Sequence, residues 1–256
     1  MSWPLHLDVF GAESAPAVVL LHPIATRAEA WRLQIPVLAR RFRVIVPDLP
    51  GHGRSAALPP GAALHDYAAA VLLALEPLGL REFSLAGLSF GGMVAQAMAL
   101  AAPSRIRRLV LAHCGAVTPA PVRAVWQQRV ADAQAGGMAQ QVRPTLDRWF
   151  TPDFLARAPA TTDWIGRMVA DTSVTGYTTA VHAICGLDHI ASLGRLEMPT
   201  LVIAGQQDRA VSPAVSQALA ACIQHAELRL MADAAHMSHV EQAATFTETV
   251  DAFLSP

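Results

Sequence analysis

Chemistry first shows itself in residues 86–93, "AGLSFGGM", where Ser89 is framed by Gly87 and Gly91 in a G-x-S-x-G arrangement behind the apolar run "FSLAG". Glycines at those two places let a chain turn sharply from a strand into a helix and present the serine Oγ above a sheet edge. The helix N-terminus that follows favours developing negative charge. A serine becomes a nucleophile only with a base, and the base needs an acid to orient it. Of the ten histidines, His236 in "DAAHMSHVEQ" follows the last predicted strand and precedes the last helix, while His239, its local rival, enters the helix region. The acid is Asp208, in "QQD" directly after "TLVIAG"; the loop after the preceding strand, "AHCGAVT", holds no carboxylate. Asp233, three residues before His236, reads as a turn residue. Acyl transfer also needs two backbone N–H groups facing the oxyanion. Phe90, directly after the serine, supplies one. In the loop "HPIATRAEAW", Pro23 has no N–H to give, so Ile24 is the second.

The elements that must position these groups are legible as well. Apolar runs at 5–10, 17–22, 42–48, 83–87, 106–112, 200–205 and 226–231 read as strands, most of them buried on both faces. Helix-length patterns at about 28–39, 65–78, 91–102, 212–222 and 241–254 lie between them. This alternation predicts an α/β fold with a mainly parallel sheet covered by helices on both faces, an antiparallel start to the sheet being left open. Between 117 and 189 the pattern becomes helical, as in "PVRAVWQQRVADAQ", "RPTLDRWF" and "TTDWIGRMVADT". The expected organisation is therefore a core of residues 1–116 and 190–256 with a helical cap insertion at 117–189, placed over the carboxyl ends of the strands where ligands bind in open α/β sheets. The loop "PDLPGHGRS" lacks the lysine and spacing of a phosphate-binding loop, so Asp48, His52 and Arg54 are expected to shape the surroundings of the site. His22 is expected to pack beneath its own loop.

Composition sets limits on function. The chain of 256 residues is 53% hydrophobic and carries 19 basic against 20 acidic residues, so it has no basic field for nucleic acid or an anionic membrane. It contains no lysine and no asparagine. The three cysteines, Cys114, Cys185 and Cys222, are odd in number and far apart, which speaks against a disulfide framework or a zinc cluster. No apolar segment reaches the length of a membrane span, and "MSWPLHLDVFG" lacks a basic start. The expectation is a cytoplasmic protein, a monomer or small homo-oligomer, that uses neither metal nor cofactor.

The order Ser89, Asp208, His236 is that of the α/β-hydrolases. With "DLPGHGRS", "GLSFGGMVAQ", "PTLVIAGQQD" and "AAHMSHVEQ", the chain resembles that superfamily along almost its whole length. Within it, "LDRWFTPDF" and "GYTTAVHAICGLD" resemble the 3-oxoadipate enol-lactonases. His22-Pro23 and "HCGAVTPAPV" depart from the usual run of that group. The resemblance implies hydrolysis of a small-molecule lactone or ester through an acyl-enzyme on Ser89, in a pocket with one cationic anchor. Arg129 would be that anchor, beside the aromatic Trp126 and Trp149. The same three groups would also serve a generalist carboxylesterase, a perhydrolase or a carbon–carbon bond hydrolase, or a ligand sensor that keeps the triad. A serine at this position argues against dehalogenase or epoxide hydrolase chemistry, which use aspartate there.

Overall fold

The computed structural model describes residues 5–255. Seven strands form one sheet: β1 (Leu7–Phe10), β2 (Ala17–Leu21), β3 (Arg43–Pro47), β4 (Phe83–Leu88), β5 (Ile106–Ala112), β6 (Thr200–Gly205) and β7 (Ala226–Met231), in the order β1-β3-β2-β4-β5-β6-β7. Only β1 runs antiparallel, against β3. Every residue of β2, β4 and β6 is buried, whereas the edge strands β1 and β7 alternate or face outward, which explains why the central strands read as unbroken apolar runs. Eight of the helical segments flank this sheet: Ala28–Trp31, α1 (Ile35–Leu38), α2 (Leu64–Leu75), α3 (Phe90–Ala101), Pro103–Arg105, α10 (Pro213–Ala221), α11 (Ser238–Glu241) and α12 (Ala243–Leu254).

After β2 the chain steps to β3 on one side, and β4 to β7 then build out on the other. The carboxyl ends of β2 and β4 therefore border the point where the winding reverses, where a crevice opens in sheets of this kind. The two ends of that crevice are the loop containing Ile24 and the turn containing Ser89.

Between β5 and β6 lie only helices: α4 (Ala120–Gly136), a short 3-10 turn, α5 (Val142–Trp149), α6 (Pro152–Arg157), α7 (Pro159–Asp171), α8 (Val174–Cys185) and α9 (Ile190–Leu193). The segments that flank α4 to α8 pair with each other. Val117 and Asp188 form an antiparallel bridge, Thr118 N–H donates to Leu187 O at 3.0 Å and His189 N–H to Ala116 O at 2.8 Å. The block leaves the sheet and returns to it at one place. At Gly51, with φ of +79°, the core loop runs backbone to backbone against Gly176 of α8, and a Cβ at Gly176 would overlap the Gly51 carbonyl.

Candidate active site

Ser89 sits between β4 and α3 with φ 55° and ψ −116°, a conformation that L-residues rarely adopt. Holding it costs on the order of 1–3 kcal/mol, which the surrounding structure must supply. A Cβ at Gly87 would overlap the Gly91 carbonyl, and one at Gly91 would overlap the Leu21 carbonyl at the end of β2. Both flanking residues must be glycine because the turn is tight and because α3 abuts the Ile24 loop. Ser89 N–H donates to Ala112 O at 2.8 Å, which fixes the elbow to the end of β5. Ile24 is buried on the neighbouring loop, and Ala25 after it has φ of +56°. Among the described residues neither the Ile24 nor the Phe90 amide is engaged in a backbone hydrogen bond.

His236 and Asp208 meet as the sequence suggests: Nδ1 of His236 lies 2.8 Å from Asp208 Oδ2. The other oxygen, Oδ1, accepts the amides of Ala210 and Val211, each at 2.8 Å. Burial alone would raise the Asp208 pKa, but the charge of His236 and the hydrogen bonds from His113 and His236 outweigh it and hold the group well below the usual carboxylate range. Ser89, Asp208 and His236 are 8%, 6% and 1% exposed, so the site is almost closed to water. No hydrogen bond joins Ser89 Oγ to His236 among the described residues, and such contacts often tighten only once substrate is bound.

A second histidine belongs to this arrangement. His113, the first residue after β5, puts Nδ1 3.0 Å from the same Asp208 oxygen and Nε2 2.6 Å from Ser238 Oγ. It gives no signal in the sequence, since a histidine behind a strand carries no motif and the loop stands out only for lacking an acid. His113, Asp208 and His236 bring donor atoms within 4.8 Å of one another. That spacing is what two N–H groups sharing one oxygen produce, and both protons are in use.

The remaining expectations divide by location. His22 lies buried under its loop, donating from Nδ1 to Pro23 O at 2.8 Å and accepting Leu49 N–H on Nε2 at 2.9 Å. Burial pushes its pKa down to about 4. Asp48 ties the neighbouring loops together through the amides of Ala28 (2.7 Å) and Arg54 (2.9 Å), and the His52 ring lies 6.1 Å from Phe90. His239 is buried between Trp31 and Phe246. Asp233 occupies a left-handed turn position with φ of +52°.

In the helical block, Trp149 is brought to His236, the two rings 6.1 Å apart. Trp126 and Arg129 meet each other, the guanidinium 4.7 Å from the ring centroid, and Trp126 lies 6.5 Å from Tyr177. Arg148, one of several arginines in the block, is half-buried in the same cluster. Burial and then the like charge of Arg129 bring its pKa down to about 10. Neither guanidinium has a salt-bridge partner among the described residues, and Arg148 Nε is buried without a hydrogen-bond partner. Two cations share a low-dielectric place without a counter-ion, and an isolated arginine in a sequence gives no hint of that. A separate cleft of about 610 Å³, lined by Asp8, Arg27, Glu29, Arg54 and Asp171 among others, includes none of the triad residues.

The block is tied to the histidine loop by Glu241, which accepts Thr151 N–H at 2.6 Å and Ala235 N–H at 2.5 Å, and by Met237 N–H to Trp149 O at 3.1 Å. Burial raises the Glu241 pKa. Glu241, too, is invisible in the sequence, because its two partners are backbone amides, one of them 90 residues away.

The sheet order and the placement of the serine turn are those of a known family, and residues 16–243 match the model of the alpha/beta hydrolase fold. The chain belongs to that family. It is 28% identical over 250 residues to 3-oxoadipate enol-lactonase 2 of Acinetobacter baylyi, covering 98% of this chain and 92% of that one. It is also 32% identical over 258 residues to 2-hydroxymuconate semialdehyde hydrolase of a Pseudomonas species, covering 91% and 83%. Among solved structures, the enol-lactonase from Burkholderia xenovorans superposes with a TM-score of 0.94 at 32% identity, covering 98% of this chain and 96% of that one. No helix among the described residues is long and apolar enough to cross a membrane.

Proposed function

We propose that the protein hydrolyses 3-oxoadipate enol-lactone, or a lactone of the same anionic class, through an acyl-enzyme on Ser89. The observation that carries this reading is the strained serine at the β2–β4 crevice, tied through Ala112 to the strand end beside the Asp208–His236 pair. Ser89 Oγ attacks the lactone carbonyl while His236 Nε2 takes its proton. The amides of Ile24 and Phe90 receive the oxyanion, and Asp208 orients and stabilises the imidazolium. Collapse breaks the ring C–O bond. The enolate leaving group takes the proton from His236 and becomes a ketone, still tethered through its acyl carbon. His236 then deprotonates a water that attacks the ester and frees Ser89. All steps use groups of this chain, with no metal or cofactor.

The substrate class is supported by the arginine cluster. The lactone's carboxylate arm would supply the counter-ion that Arg129 lacks, with Arg148 as a second donor and the rings of Trp126 and Trp149 framing the apolar part. In this reading residues 117–189 act as the cap that carries specificity, and their movement admits substrate to a site that is closed here. The relatives named for enol-lactone hydrolysis support the same assignment, and the expected location is the cytoplasm.

The test is turnover of 3-oxoadipate enol-lactone by the wild type and S89A, with short-chain p-nitrophenyl esters alongside. Fast lactone loss that vanishes in S89A bears the proposal out. Slow lactone loss with brisk Ser89-dependent ester hydrolysis keeps the nucleophile and replaces the substrate by a general carboxylic ester. Turnover unaffected in S89A overturns the mechanism.

A further inference from the structure

Asp208 carries more than a triad acid needs. Its Oδ2 is shared by Nδ1 of His236 at 2.8 Å and Nδ1 of His113 at 3.0 Å. The two rings stand edge to face, 5.5 Å between centroids and 72° apart. Asp208 is ionised, so both nitrogens donate, and the proton of His113 resides on Nδ1. Its Nε2 is then an acceptor, and Ser238 Oγ at 2.6 Å donates to it. The tautomer is thus fixed from both ends.

The backbone holds the ring in place. His113 N–H donates to Ile203 O at 2.8 Å, within β6, and the residue sits in the left-handed region with φ of +53°. Two residues on, Gln96 Nε2 donates to Gly115 O at 2.9 Å. Ser238, His113 and Asp208 repeat the donor order of a catalytic triad. However, Ser238 and His113 are both 0% exposed, so no carbonyl carbon can reach that hydroxyl. The chain of protons therefore acts inward, on the carboxylate.

We propose that His113 is a positioning residue for the general base: its Nδ1–H fixes the orientation of the Asp208 carboxylate and takes up part of its charge, so that His236 is held in one pose and the imidazolium formed during reaction is not over-stabilised. The proposal rests on the serine-hydrolase reading only in giving His236 the role of base. A carboxylate that keeps its full charge for one imidazole holds the imidazolium too well. That slows the return of the proton to the leaving group and leaves the base protonated to higher pH. A second, neutral donor on the same oxygen moderates this. His113 itself stays neutral, since burial lowers its pKa. The titratable groups around it are Asp208 from the β6 loop, His236 from the β7 loop and His239 from α11, which burial holds neutral with a pKa of about 3. Arg209 is exposed, and Glu241 is occupied by the Ala235 and Thr151 amides.

The experiment compares kcat/KM against pH for the wild type, H113N and H113L, with p-nitrophenyl acetate as substrate. The side-chain amide in H113N can present an N–H where Nδ1–H was, and asparagine tolerates the left-handed backbone. In H113L no donor remains. H113L is expected to lose roughly tenfold in kcat/KM and to shift the acid limb upward by about half a pH unit or more, whereas H113N keeps the wild-type limb. Equal profiles in all three proteins, or an H113N profile shifted as far as that of H113L, overturn the proposal. A second readout needs neither activity nor the leucine variant to fold. With 15N-labelled histidine, the wild type and S89A are expected to show a slowly exchanging low-field proton on His113 Nδ1 that is missing from H113N. A proton found on Nε2 instead overturns the tautomer and the proposal with it. Should S89A prove fully active, the hydrolase mechanism falls while this resonance still tests the bond.

Discussion

The strand ends that carry Ser89, Asp208 and His236 differ in kind from the helices between β5 and β6. At the strand ends the polar atoms of Asp208 are saturated, with two imidazole donors on one oxygen and two amides on the other. In the helical block, α4 buries only Ala133 of its 17 residues, and the like charges of Arg129 and Arg148 act on each other with no salt-bridge partner for either among the described residues. A saturated site has one arrangement, as suits proton transfers that tolerate little misplacement. In the proposed reading, reaction and recognition are divided between these two regions, which Glu241 and the Met237–Trp149 bond join.

The harshest way to break this division is S89A, expected to lower kcat by about 10⁴-fold or more for lactone and ester alike while leaving the fold intact. Single-turnover assays and thermal melts check both halves. D208N is expected to cost roughly 10⁴-fold for every substrate, because an amide cannot accept from both imidazoles and both backbone amides. The arginines of the helical block sharpen the contrast. R148A and R129A are each expected to raise KM for an anionic lactone about 10- to 100-fold and to leave neutral ester turnover near that of the wild type. Equal losses on neutral esters would assign the arginines to the fold instead of to substrate.

Two stability measurements probe the join and the core. E241Q turns one acceptor into a donor facing a backbone N–H, and is expected to cost about 1–3 kcal/mol in urea unfolding, with KM moving more than the ester kcat. The pH dependence follows from histidines buried neutral. The unfolded chain takes up protons near pH 6.5, whereas the folded protein refuses them down to about 4 at His22 and about 3 at His52 and His239. Stability is therefore whole above pH 6.5 and is lost as pH falls through that window, at about 1.4 kcal/mol per pH unit for each proton withheld. Urea midpoints at pH 7.5, 6 and 5 are expected to fall progressively, and H239L to remove one proton's share of the slope.

Much of the core is legible in the sequence. Strands predicted at 106–112, 200–205 and 226–231 match β5, β6 and β7, because a strand buried on both faces must be apolar throughout and a turn must break it. Gly87 and Gly91 announce the Ser89 elbow, since no side chain fits where the Gly91 and Leu21 carbonyls come so close. The start of the sheet, left open by the sequence, is settled by β1 pairing antiparallel to β3. The helix expected over 28–39 is interrupted, a 3-10 turn at Ala28–Trp31 followed by α1 at Ile35–Leu38, with Pro36 placed in the first turn of the second piece.

What the sequence determined by itself was local: glycine at a tight turn, apolar runs for buried strands, and the chain order of serine, aspartate and histidine at strand ends. Tertiary structure alone decided that His113 shares the Asp208 carboxylate across 95 residues, that Glu241 clamps two distant amides, and that Arg148 lies beside Arg129. The physical reason is that a hydrogen bond or an unpaired charge depends on where two side chains end in space. Neither hydrophobic period nor turn chemistry encodes that position for residues far apart in the chain.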